Sequence, residues 1–261
     1  MSLGRIKNID NQRWIDTMAN IENEVSADEM KELEARTVEA IRSTVTGKKT
    51  AFAWSGGKDS LVLAKLCGKA GIKNSLFVHS ELEYPEFLGW CLSHLPKGCE
   101  VINTGLDLNW LSEHPEMLFP KDSRLVYRWY QSVQQTGIRK YFKDHGLDMM
   151  VVGHRKADGN YTGNAEHISR NGAGIVRYAP LADWTHEQVL AYIHYHKLAM
   201  PPIYGWENGY KCGTHSWPCR THTESIEDGF RAVYAIDKSI VEAAAEYLPQ
   251  ARSFLEGVSA K

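Results

Sequence analysis

The hexapeptide Ser55-Gly56-Gly57-Lys58-Asp59-Ser60 is the densest run of chemistry-bearing residues in the chain. It follows the apolar run Thr50 to Trp54 and precedes Leu61, Val62, Leu63, Leu66 and Cys67, whose spacing predicts a helix starting near Asp59. A tight Ser-Gly-Gly turn between a buried strand and a helix leaves backbone N–H groups aimed at one spot, with the positive end of the helix dipole behind them. An anion belongs there. Gly56 and Gly57 permit close approach, Lys58 adds a cation, and Ser55 and Ser60 bring hydroxyl donors. Asp59 would repel phosphates unless it holds Mg²⁺ or caps the helix, and a joint role near the metal is the favoured reading. The pattern is neither the P-loop nor the dinucleotide Gly-x-Gly-x-x-Gly fingerprint. A capped glycine turn with no ligand is the plain alternative.

A second group lies far along the chain. Cys212, His215, Cys219 and His222 form Cys-x2-His-x3-Cys-x2-His, a set of ligands suited to a tetrahedral Zn²⁺ although the spacing is short. The plainer reading makes the two cysteines small buried residues and the histidines surface ones. His79, at a strand end, could act as a base or simply hydrogen-bond. Trp206 and Trp217 read as core or lid residues.

These residues need a frame. Ser75 to Ser80 reads as a second strand, Pro85 to Leu95 as a helix and Glu100 to Thr104 as a third strand, an alternation that implies a parallel sheet covered on both faces. Arg124 to His145 reads as one long helix. Asp148 to Val152 reads as a buried strand whose end, at Gly153, should share an edge with the glycine loop. Asn160 to Ala173 is polar and glycine-punctuated, a loop able to cover a ligand, and Ile175 to Tyr178 is a candidate last strand. Thr185 should cap a helix running to about His196. Gln12 to Thr46 carries one or two helices, and Glu224 to Leu255 returns to helical patterning. The expected division is a helical segment over 1–49, a nucleotide-binding domain over 50–223 and a second helical segment over 224–261. The flanks are candidates for specificity or for a homo-oligomer contact.

The 261 residues are 43% hydrophobic and 24% charged, as in ordinary globular chains. A net charge of −2 gives no global pull toward nucleic acid, although Arg124, Arg128, Arg139 and Lys140 could line a local basic groove. No apolar run approaches membrane-spanning length and the first residues lack a signal-peptide stretch, so a cytoplasmic protein without membrane contact is expected. Five cysteines, an odd number, fit reduced thiols.

Ser55-Gly56-Gly57-Lys58-Asp59-Ser60 resembles the PP-loop of the adenine nucleotide α-hydrolase superfamily. Further segments resemble its phosphoadenosine phosphosulfate (PAPS) reductase family: Leu76 to Glu86, with His79-Ser80-Glu81 in place of Asp-Thr-Gly; Val152-Gly153-His154-Arg155-Lys156; Arg177 to Thr185, which holds Pro-Leu-x-x-Trp-Thr; and then Pro202-Ile203-Tyr204 with Gly209-Tyr210. The resemblance covers about Thr50 to Thr223. It implies a Rossmann-like parallel sheet with ATP or PAPS at the C-terminal strand ends, adenine near Ala53, Val78 and His79, and Gly153, Arg155 and Lys156 meeting phosphate or sulfate.

The resemblance also breaks. The reductases' Glu-Cys-Gly-Leu/Ile-His motif near the C-terminus has no counterpart after Cys219, and no Cys-Cys pair occurs, so no iron–sulfur cluster is expected. Lys211-Cys212-Gly213-Thr214-His215 looks like that motif in another place, which leaves Cys212 a candidate nucleophile beside the zinc and buried-thiol readings. The leading expectation is an ATP–Mg²⁺ pyrophosphatase or adenylyltransferase in which Lys58, Arg155 and Lys156 balance phosphate charge. The alternatives are sulfonucleotide reduction with a thioredoxin-like donor, and a nucleotide sensor or partner subunit without turnover. Loss of Lys58 or Arg155 is expected to cost rate far more than stability.

Overall fold

The computed structural model describes residues 10–220 and 223–259. Three helices open it: α1 (Asn11–Ala19), α2 (Ile21–Glu24) and α3 (Ala27–Val45), one more than the apolar spacing suggests. Strand β1 (Thr50–Trp54) leads through the glycine turn to α4 (Lys58–Ala70), which stops where Gly71 takes a left-handed φ of 93° and returns its N–H to Cys67 and Gly68. Then follow β2 (Ser75–His79), α5 (Pro85–Ser93), β3 (Cys99–Asn103) and α6 (Leu108–Glu113).

The expected long helix is interrupted. Helix α7 (Ser123–Tyr130) passes through a π turn at Gln131–Gln135 into α8 (Thr136–Asp144), so side chains beyond the turn are rotated from where an unbroken 3.6-residue period would put them. Strands β4 (Met149–Val151), β5 (Ile168–Arg170) and β6 (Val176–Tyr178) complete the sheet. Helices α9 (His186–Tyr195) and α10 (Gly209–Cys212) follow, then α11 (Ile226–Ile236), α12 (Lys238–Ala244) and α13 (Pro249–Ser259). The Thr185 cap is observed as a full capping box with Gln188.

The sheet order is β3-β2-β1-β4-β6-β5. All pairs are parallel except β5 with β6, so the expected all-parallel sheet is corrected at one edge. The three residues of β5 lie inside the segment expected to be irregular, and they pair as a hairpin with β6 rather than crossing over the sheet. Strand order reverses between β1 and β4, and such a switch opens a crevice beyond the carboxyl ends of the two strands. The glycine turn and Gly153 both leave the sheet there.

Apolar residues cover both faces. Ala51, Leu76 and Met150 pack with Ile138 and Tyr141 of α8 on one face. Phe52, Phe77 and Val151 join the larger core of α4 and α9 on the other. Helix α3 lies along α4, and α1 and α2 lie against α9. The C-terminal helices seat Phe230 edge-on to Phe119 at 5.1 Å. No helix among the described residues is long and apolar enough to cross a membrane.

Candidate nucleotide site at the glycine loop

Gly56 adopts φ 73°, and a Cβ there would sit 2.4 Å from Cys91 Sγ of α5. Both facts require glycine. A Cβ on Gly57 would lie 2.8 Å from Thr214 Cγ2, so the second glycine lets the 209–215 segment close over the loop. The turn is held from within and from outside. Ser60 Oγ donates to Gly57 O at 2.8 Å, and the Lys58 amide donates to the Tyr204 hydroxyl at 2.8 Å.

Charges are gathered behind this loop. Lys58, 3% exposed, places its ammonium 2.7 Å from Asp59 Oδ2 and 3.9 Å from Asp158 Oδ1, and 5.5 Å from the centre of the Trp14 ring. Arg155 is 0% exposed. Its Nε donates to Asp59 at 2.7 Å, Nη1 to the Trp184 carbonyl at 3.1 Å, and Nη2 to Asp158 at 2.9 Å with His186 Nδ1 at 3.0 Å. Burial works to raise the Asp59 carboxyl, but Lys58 and Arg155 outweigh it and hold the group below its usual range. Burial, reinforced by Asp59, pushes Asp158 up against the pull of the same two cations. Desolvation first, then Arg155 and Lys58, lowers His186 to about 3, so it is a neutral acceptor for the guanidinium.

The cavity in front of the loop has a volume of about 310 Å³. Ser55, Gly57, Lys58, Asp59 and Ser60 form its floor with Gly153 and Asp158, and Lys211 to His215 form its roof beside Asn160, Tyr204 and Tyr210. The expected residues divide accordingly. Gly56 supports the loop from the α5 side. Lys156 turns away from the cavity and pairs with Asp183 at 2.5 Å, lining a separate hollow at the start of α9. Ala53, Val78 and His79 lie at strand ends outside this cavity: a Cβ added to Gly137 would meet Val78 Cγ atoms at 2.5 Å, and His79 Nδ1 bonds the Ser80 carbonyl at 3.0 Å.

Cys212 and His215 line the roof. Cys219 is buried with its Sγ 3.5 Å from His215 Nδ1, and among the described residues no three His, Cys, Asp or Glu side chains gather as metal ligands. His222 lies outside the described residues. Desolvation raises the Cys212 thiol, against a smaller pull from Arg220 and Lys211. Trp217 packs in the core near Phe119 and Phe230, and Trp206 leans on Tyr84 at 4.8 Å. In the anticipated basic groove, Arg124, Arg128 and Lys140 are paired with Asp122, Glu116 and Asp144.

Several site residues carried no clear signal. Asp158 sits in a 3-10 turn three residues after Arg155, where a lone aspartate reads as loop. Trp14 comes from the N-terminal flank, is fully buried and stacks on Tyr210 at 4.8 Å. The pattern of α1 identifies an apolar face and cannot reveal that it packs on Tyr210, nearly two hundred residues away in sequence. Glu83 is the third. It accepts from the Ser80 amide and hydroxyl at 3.2 and 3.1 Å, yet burial pushes its carboxyl up to about 7.

The raised Glu83 carboxyl gives a pH signature. Its folded pKa exceeds the unfolded value, so its contribution is intact below about pH 4.5 and is lost as pH rises through about 7. Glu83→Gln keeps an acceptor for Ser80 and removes the ionisation. The variant should match wild type at pH 4.5 and be more stable at pH 8, by at most about 3 kcal/mol. Thermal unfolding at the two pH values decides: an equal offset at both would show that Glu83 acts by packing alone.

A family model described as the phosphoadenosine phosphosulfate reductase domain matches residues 49–212. A phosphoadenosine phosphosulfate reductase of Emericella nidulans is 26% identical over 161 residues, covering 55% of this chain and 49% of that protein, so the match spans about half the length of that curated relative. Phosphoadenylyl-sulfate (PAPS) reductase from Candida auris, solved as a phosphate complex, aligns at 17% identity and a TM-score of 0.51 over 70% of this chain and 94% of that one, a likeness of fold alone. The motifs appear in order along the matched span, the sheet reverses at the loop and the family model covers more than half of the chain; the protein therefore belongs to the PAPS reductase family of the PP-loop, or adenine nucleotide α-hydrolase, superfamily.

Proposed function

We propose that the protein is an enzyme that binds ATP by its phosphates on the Ser55–Ser60 loop and cleaves it between the α- and β-phosphates, as an ATP pyrophosphatase or adenylyltransferase. One observation carries this reading: Asp59 and Asp158 both line the phosphate cavity, with the Lys58 ammonium between them. Two carboxylates facing a polyanion make chemical sense when a divalent cation accompanies that anion. Asp59 and Asp158 are the groups that would hold Mg²⁺. The ion would screen phosphate charge.

The chain's own groups supply the rest. Lys58 and the N-terminal end of α4 favour charge on the departing pyrophosphate, and Arg155 holds the two carboxylates in place. An acceptor oxygen bonds to the α-phosphorus while the bond to the bridging oxygen breaks, and pyrophosphate leaves with the electron pair.

Cys212 supports a second reading. It lines the same cavity, where a thiolate could attack the sulfur of PAPS and displace adenosine 3′,5′-bisphosphate, leaving an S-sulfocysteine from which the dithiol of a thioredoxin-like donor releases sulfite as it is oxidised to a disulfide. The raised thiol pKa works against it. The two readings separate in one experiment, with α-labelled ATP and Mg²⁺ in one arm and labelled PAPS with reduced thioredoxin in the other. Pyrophosphate with AMP or an adenylylated product is expected. Sulfite lost on Cys212→Ser would install the reductase instead, and bound nucleotide without turnover would make the protein a sensor.

A further inference from the structure

We infer that Lys211, in the cavity roof, is a second cation, opposite Lys58, that reads the polyphosphate tail of the bound nucleotide. The inference rests on the ATP reading above and names a residue that reading did not use.

The two cations behind the loop, Lys58 and Arg155, are matched by the two carboxylates Asp59 and Asp158 through contacts of 2.7 to 3.9 Å. This set is neutral when both carboxylates are ionised, and Arg155 has no exposed surface with which to meet a ligand. Lys211 lines the same cavity from the opposite side and has no ion-pair partner among the described residues. It is half-buried, so its charge is only partly screened by water. The roof lies close to the loop, because the Thr214 methyl fills the space beside Gly57 that a Cβ would need. Tyr210 of the same short helix is fixed by stacking on Trp14, which anchors the backbone that carries Lys211. An anion held on the loop is therefore flanked by an unpaired ammonium on a fixed support, and that ammonium reaches the phosphates beyond the first.

The test compares tail lengths in equilibrium binding, with ATP plus Mg²⁺, AMP and inorganic pyrophosphate as probes. Lys211→Gln should weaken ATP and pyrophosphate about tenfold, the scale of one charge-assisted hydrogen bond, and leave AMP unchanged. Lys211→Arg should restore ATP. The salt dependence of ATP binding should flatten in Lys211→Gln. Equal loss for ATP and AMP, or no loss for either, overturns the assignment. If wild type ignores ATP but binds pyrophosphate in a Lys211-dependent way, the clamp stands and the proposed function falls; if wild type binds neither, both fall.

Discussion

Lys58→Ala should abolish pyrophosphate release, with a loss of about a thousandfold, the scale seen when a preorganised electrostatic group is removed from an active site. The side chain is almost wholly buried, and its ammonium lies between Asp59 and Asp158 and over the Trp14 ring. Without it, the cavity floor presents two carboxylates whose remaining cation, Arg155, points at them and away from any ligand. An incoming phosphate chain would meet net negative charge. Asp59 would also lose the largest of the influences that hold its pKa down. The fold should tolerate the change better than the chemistry does, because Arg155 still bonds both carboxylates. Activity assays beside thermal unfolding give the answer. A folded Lys58→Ala protein that still releases pyrophosphate at more than a tenth of the wild-type rate would remove Lys58 from the mechanism.

What could be read in the sequence tracks how local the determining physics is. The strand, glycine turn and helix around Ser55 to Ser60 were legible because adjacent residues specify them: an apolar run, glycines for a left-handed turn and a 3.6-residue period. Thr185 was legible for the same reason, since a cap and its Gln188 partner are three residues apart. The π turn at Gln131–Gln135 was not, because one extra residue per turn hardly alters a short apolar pattern. Strand β5 is three residues long and defined by its partner β6, so its own residues gave no period to detect. In the candidate site, the loop and Arg155 came from motif order. Asp158, Trp14 and the roof of the cavity come together only through tertiary contacts between residues that carry no local mark.

Arg155 is the case where sequence and structure lead to opposite expectations about one mutation. Read as a basic residue meeting phosphate, it should cost rate and leave the fold intact when removed. The structure buries it completely and commits Nε, Nη1 and Nη2 to Asp59, Trp184 O, Asp158 and His186. Arg155→Ala would leave two partly buried carboxylates sharing Lys58, a carbonyl without its donor and the volume of a guanidinium to fill. Breaking a buried ion pair from one side costs about 3–5 kcal/mol, which for a chain of this size lowers the melting temperature by roughly 10 °C. Arg155→Lys should recover little, because one ammonium cannot span Asp59, Asp158 and the Trp184 carbonyl as the planar fork does. Activity would fall too, but as a consequence of carboxylates that no longer hold their positions. Thermal unfolding of the two variants, followed with and without ATP, separates the accounts. If Arg155→Ala melts within about 2 °C of wild type, less than the shift expected for 1 kcal/mol, while losing activity, the guanidinium acts on the ligand and the buried network is not its main role.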